Sequence, residues 1–72
     1  MTSQDEELTW EDSFAIALRL MDTYPKIAIE QVGYRQLLDM VVALPAFADD
    51  PTLANDDILE AILSEWLEES DA

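Results

Sequence analysis

The sequence predicts an all-α fold, a compact small helical domain with at most a very short strand. Three observations predict it. Apolar residues recur at helical spacing in three separate segments. Prolines at 25, 45 and 51 punctuate the intervals between those segments. Alternating β-branched residues are confined to one short connector, too little for a sheet.

Residues 1–7 are polar and acidic and read as a flexible arm. Thr9-Trp10-Glu11-Asp12 resembles a capping box with Asp12 as the reciprocal acceptor, and Asp12 is equally suited to be the N-cap itself. The first helix is expected from there to about Thr23, stopped by Tyr24-Pro25. Residues 26–34, with Ile27, Ile29, Val32 and Gly33, read as an extended connector holding either a short strand or a helical turn. A second helix over about 35–44 follows from Leu37, Leu38, Val41 and Leu44, and Pro45 ends it. A loop around Asp49-Asp50-Pro51 leads to Asn55, a good N-cap, with Asp56 and Asp57 suited to the positive end of a helix dipole. The third helix is expected to about Glu68, with Ile58, Leu59, Ile62, Leu63, Trp66 and Leu67 as one apolar stripe. Its last turn is acidic and opposes the dipole, so residues 70–72 are expected to fray. Residues 8–69 then form a single domain. Trp10 and Trp66 fall on the apolar sides of their helices and are expected in the core.

The chain has 72 residues, 17 acidic and 3 basic, for a formal charge of −14. Half of its residues are hydrophobic, too many for a disordered acidic tail. The charge disfavours nucleic acid and anionic membranes as partners and favours a partner surface lined with Arg and Lys, or cations. No apolar run is long enough to cross a bilayer, and the acidic start is unlike a signal peptide, so a cytoplasmic location is expected.

Across Leu8–Glu69 the sequence resembles the IscX family, the small acidic accessory proteins of iron–sulfur cluster assembly. The resemblance runs without gaps through Trp10, Asp12-Ser13, Asp22, Tyr24-Pro25, Val32, Leu44, Phe47, Asp49-Asp50-Pro51 and Asn55. Its most specific part is Ile58–Leu63 with Trp66-Leu67 and Glu69. The resemblance implies a compact helical fold like a winged helix without the DNA-binding charge. It implies cysteine desulfurase as partner, other iron–sulfur assembly proteins as further partners, and weak iron binding through carboxylates. Asp12, Asp22, Asp49 and Asp50 are the matching acids that it points to for partner binding, and Asp49 and Asp50 together with Asp22 or Asp12 are the carboxylates available for a weak, partly hydrated iron site. The chain departs from the family at Ala46 and Ala48, where the turn usually carries more acid, and at Phe14, Ala15 and Leu18, where the first helix is usually charged. Ile29 replaces a proline, and Gly33-Tyr34-Arg35-Gln36 replaces an Arg-Phe-Thr-Asp-like run.

The residue inventory limits the chemistry. Cysteine and histidine are absent, so the chain by itself supplies no ligands for an iron–sulfur cluster or a tight zinc site. No tightly bound cofactor is expected. Carboxylates alone suit hard cations, ferric iron among them. Asp49-Asp50-Pro51 also reads as a plain turn stabilised by local aspartate hydrogen bonds, and the two readings can coexist. Ser13 has no histidine base, so an enzyme is not expected.

The apolar arc of the first helix runs from Ile16 through Leu20, Tyr24, Ala17, Trp10, Met21 and Phe14 to Leu18. It spans roughly 200°, where a surface helix needs little more than about 100°. Phe14 and Leu18 lie at its edge. Either they form an exposed patch for a partner, with Leu38 or Val42 beside them, or the connector covers them. Two readings of other classes remain. An acyl carrier is faintly echoed by Asp12-Ser13-Phe14, although a carrier needs a whole helix before that serine. A DNA mimic is permitted by charge alone.

Overall fold

The computed structural model describes residues 7–71; the expected arm at 1–7 lies outside them except for Glu7. Three helices make up the domain: α1 (Ser13–Thr23), α2 (Tyr34–Val42) and α3 (Asp56–Asp71). Two single 3₁₀ turns, Ile29–Gln31 and Pro51–Leu53, sit in the connections. The described residues contain no strand. A lone parallel bridge joins Leu8 to Phe47.

Asp12 meets both expectations made of it. Its carbonyl accepts the Ile16 N–H at 2.8 Å, so it is the N-cap residue. Its carboxylate turns back and accepts from the Thr9 N–H at 3.1 Å and the Thr9 hydroxyl at 3.3 Å, leaving the helix's own first N–H groups uncapped. α1 closes when the Tyr24 N–H reaches the Leu20 carbonyl, and Pro25 prevents continuation.

The connector forms the helical turn. Its Ile29 and Val32 are both buried, because a three-residue repeat places i and i+3 on one side. The turn packs on α3. α2 starts one residue earlier than its pattern predicts, because the extended Gly33 offers its carbonyl to the Leu37 N–H at 2.8 Å. It ends at Val42, two residues short of the predicted limit. There the chain tightens ahead of Pro45, and the Leu44 N–H bonds to Val41 rather than to residue 40. The Asn55 side chain caps α3 by accepting from the Ile58 N–H at 2.9 Å. α3 continues to Asp71, past the stop at Glu68 that its acidic last turn suggests.

The core lies mainly between α1 and α3, with α2 closing one side. Ile16, Ala17 and Leu20 of α1 meet a cluster holding Leu37, Met40 and Val41 of α2 and Leu59, Ile62 and Trp66 of α3. Among the described residues no buried side chain is polar or charged. The described acidic residues therefore all lie on the outside, as desolvation of unpaired carboxylates requires. Leu67, counted in the predicted stripe of α3, stands 39% exposed: the stripe is wider than the surface α1 and α2 present to it.

Trp66 is only 1% exposed and lies beside Met21, Tyr24 and Pro25, at the end of α1. Across the domain, the Tyr34 hydroxyl donates to the Glu60 carboxylate and ties α2 to α3. That bond holds the Tyr34 phenol above its ordinary pKa, helped by slight desolvation and by the carboxylates of Glu60, Asp56 and Asp57, which oppose a phenolate.

Two outcomes follow from this packing. Trp66→Ala leaves a large void at the α1–α3 contact and is expected to cost about 3–5 kcal/mol in denaturant unfolding; a loss within about 1 kcal/mol, the scale of a tolerated substitution, would remove Trp66 from the core. Because the folded-state pKa of Tyr34 is raised, its contribution is complete below pH 10.0 and is lost as pH rises through the folded value. Tyr34→Phe should therefore flatten the alkaline limb of the stability–pH curve and leave its acid limb unchanged.

Candidate functional site

The loop that follows α2 is fastened to the segment that precedes α1. The Leu8 N–H donates to the Ala46 carbonyl at 2.8 Å, and the Ala48 N–H donates to the Leu8 carbonyl at 2.9 Å. Trp10 completes the clip. It stands in the turn before α1 rather than on the helix, a correction to its expected place, although its ring is buried as expected. Its ring meets Phe47 edge to face, centroids 4.7 Å apart. The Trp10 backbone N–H donates to Asp49 Oδ2 at 3.0 Å, and its indole N–H donates to the Asp50 carbonyl at 2.8 Å.

These bonds settle the local role of the two aspartates. Asp49 also accepts the Asp50 N–H on Oδ1 at 2.7 Å, so both of its oxygens are engaged. Asp50 Oδ1 accepts the Thr52 N–H at 3.0 Å and the Thr52 hydroxyl at 2.8 Å, an Asx turn that starts Pro51–Leu53. These bonds favour the ionised form and lower the Asp50 pKa, the backbone bond most. The turn reading of Asp49-Asp50-Pro51 thus holds in its full hydrogen-bonded form.

The clip also decides which carboxylates share an end of the molecule. Asp12 is bonded to Thr9, Asp49 to the adjoining Trp10, and Asp50 follows Asp49, so three of the four expected partner-binding aspartates form one acidic corner at the start of α1. Asp22 sits at the other end of α1, about 15 Å from Asp12 along the axis at the usual helical rise. Among the described residues no group of three or more acidic side chains is gathered so as to hold a metal ion.

Phe14 and Leu18 are 49% and 40% exposed, so the connector does not cover them. Val42 on α2 is also exposed, and Leu38 is half-buried. Ser13 opens α1, with no helix before it among the described residues. Sequence reasoning did not find the bonds from Trp10 to Asp49 and Asp50. They span 39 and 40 positions, and no local pattern announces such a contact. Nor did it find Leu53, 59% exposed on the turn that Asp50 starts.

Asp49→Ala removes the acceptor for the Trp10 N–H and is expected to cost about 1–2 kcal/mol. Amide exchange should accelerate at Trp10 and Asp50 and leave the middle of α3 unaffected. Unchanged protection at Trp10 would mean that the side chain does not hold the loop.

Comparison with known proteins places the chain in a family. The family model described as iron-sulphur cluster assembly matches residues 8–71. The uncharacterized protein PA3808 of Pseudomonas aeruginosa is 39% identical over 64 residues, covering 89% of this chain and 97% of the relative. With nearly the whole domain matched, from the Leu8 clip to the end of α3, the chain belongs to the iron–sulphur cluster assembly family.

Proposed function

We propose that this protein is an accessory factor of iron–sulphur cluster assembly that docks its acidic side on a basic surface of the cysteine desulfurase and modulates sulfur transfer. The observation that carries the reading is the acidic corner. Asp12, Asp49 and Asp50 are held in place by Thr9 and Trp10, so their charges are presented without the entropy loss of ordering a loose loop. The remaining surface adds to the same field, since the chain carries −14 in all. Such a field accelerates encounter with a cationic partner and makes binding salt-sensitive.

The protein acts by binding rather than by catalysis in this reading, in the cytoplasm. Other assembly proteins that present cationic surfaces are further partners. Iron enters as a weak, partly hydrated ligand of carboxylates, at Asp49 and Asp50 in the acidic corner and separately at Asp22 on the far end of α1, with no tightly bound cofactor. Asp49 and Asp50 spend part of their acceptor capacity on the loop, which keeps such binding weak.

The test is titration of the protein into the cysteine desulfurase from the same cell, at low and at moderate salt, with sulfide production followed in parallel. Binding that weakens with salt, together with a changed rate, is expected. Asp22→Lys is the cleanest charge reversal, since Asp22 is exposed and bears no part of the clip; it should weaken low-salt binding without lowering thermal stability, because a cation suits the last turn of α1 better than an acid does. Absence of binding at low salt would overturn the reading.

A further inference from the structure

α1 is apolar over a wider arc than its core contacts use. Ile16, Ala17 and Leu20 are fully enclosed, and Ala15, Met21 and Tyr24 are half-buried against the core. Phe14 and Leu18 face water. They are spaced four residues apart, and Asp22 follows at the next interval, so the three side chains form one ridge along the outer face of the helix. The ridge is about 12 Å long at the usual rise. The row runs into an acid at Asp22, and it begins on the first turn of α1, the end of the helix that also carries Asp12 and the acidic corner. Arg19, the one cation of α1, is half-buried and lies outside this row.

We propose that the Phe14–Leu18 ridge is the apolar anchor of the docking face, seated in a hydrophobic groove of the partner protein whose borders carry Lys and Arg. This rests on the acidic docking reading above and gives it a second, salt-insensitive component. A convex row of side chains at intervals of four packs into a groove. Asp22, which continues the ridge, and the acidic corner at the helix end where the ridge begins select a groove with cationic borders, because charge complementarity sets register while the apolar centre supplies affinity. A second copy of this chain is a poor occupant, since it brings another −14 against the same face. The ridge also gives Asp22 a place: too far from Asp49 and Asp50 to share a site with them, it borders the opposite end of the same surface.

The experiment measures desulfurase affinity for three forms of the full chain at low and moderate salt: the native protein, Phe14→Ser/Leu18→Ser and Asp22→Lys. The double variant is expected to lose about tenfold in affinity at both salts. Asp22→Lys should lose affinity chiefly at low salt. Leu18→Ser alone, at an exposed helix position, gives the same comparison should the double variant lose helicity by circular dichroism. Native affinity in the Phe14→Ser/Leu18→Ser protein would overturn this inference while leaving the acidic docking reading intact. No binding by the native protein would overturn both. Sedimentation of the free protein provides the remaining arm: a dimer that Phe14→Ser/Leu18→Ser dissolves would assign the ridge to a second copy and overturn the inference.

Discussion

The Trp10 clip is the constraint on which the functional side of this molecule depends. One residue supplies an aromatic ring to the core and two N–H donors to a loop almost forty positions away. An indole buried without a partner for its N–H is costly, and so is an unpaired backbone N–H. The Asp50 carbonyl and the Asp49 carboxylate meet both needs. The loop after α2 is thereby fixed against the start of α1, and the parallel bridge from Leu8 to Phe47 extends the attachment by two more bonds. Asp49 is in this sense a structural carboxylate, whereas Asp22 is free of such duties.

A chain with this much negative charge folds by separating its functions strictly between inside and outside. The core cluster is built from apolar residues alone, so among the described residues no buried carboxylate has to be neutralised. On the surface the charges are placed with partial economy. Asp56 and Asp57 oppose the positive end of the α3 dipole and stabilise it. Glu68, Glu69 and Asp71 sit at its negative end, where they are unfavourable, and α3 nevertheless reaches Asp71. Packing of Trp66 beside Tyr24 and Pro25 holds the helix near that end. Like charges at this density repel one another, so the surface is a store of unfavourable energy that a cationic partner relieves.

The three helices were legible in the sequence because each is specified by local information. Periodic apolar residues in α2 and α3, Asn55 as a cap and proline after α1 and α2 act within a few positions of themselves. The helix boundaries shifted where a backbone group outside the pattern supplied or removed a bond, as Gly33 does at the start of α2. The connector left two possibilities because three apolar residues without a longer period suit either one, and burial against α3 selected the turn.

The candidate site was legible only as a set of residues. Asp12, Asp22, Asp49 and Asp50 could be named from the chain, but their grouping could not, because it follows from the contact of Trp10 with a loop remote in sequence. The same holds for the wide apolar arc of α1. Periodicity shows that Phe14 and Leu18 are apolar neighbours of a buried stripe. Which part of the arc is covered depends on where α2, α3 and the connector come to rest. The sequence by itself therefore determined the helices, the all-apolar core and the acidic exterior, since these follow from short-range bonding and from the cost of burying charge. Only the tertiary structure decided that three aspartates share one corner, that Asp22 stands apart, and that Phe14 and Leu18 remain in water, since these follow from how distant segments pack.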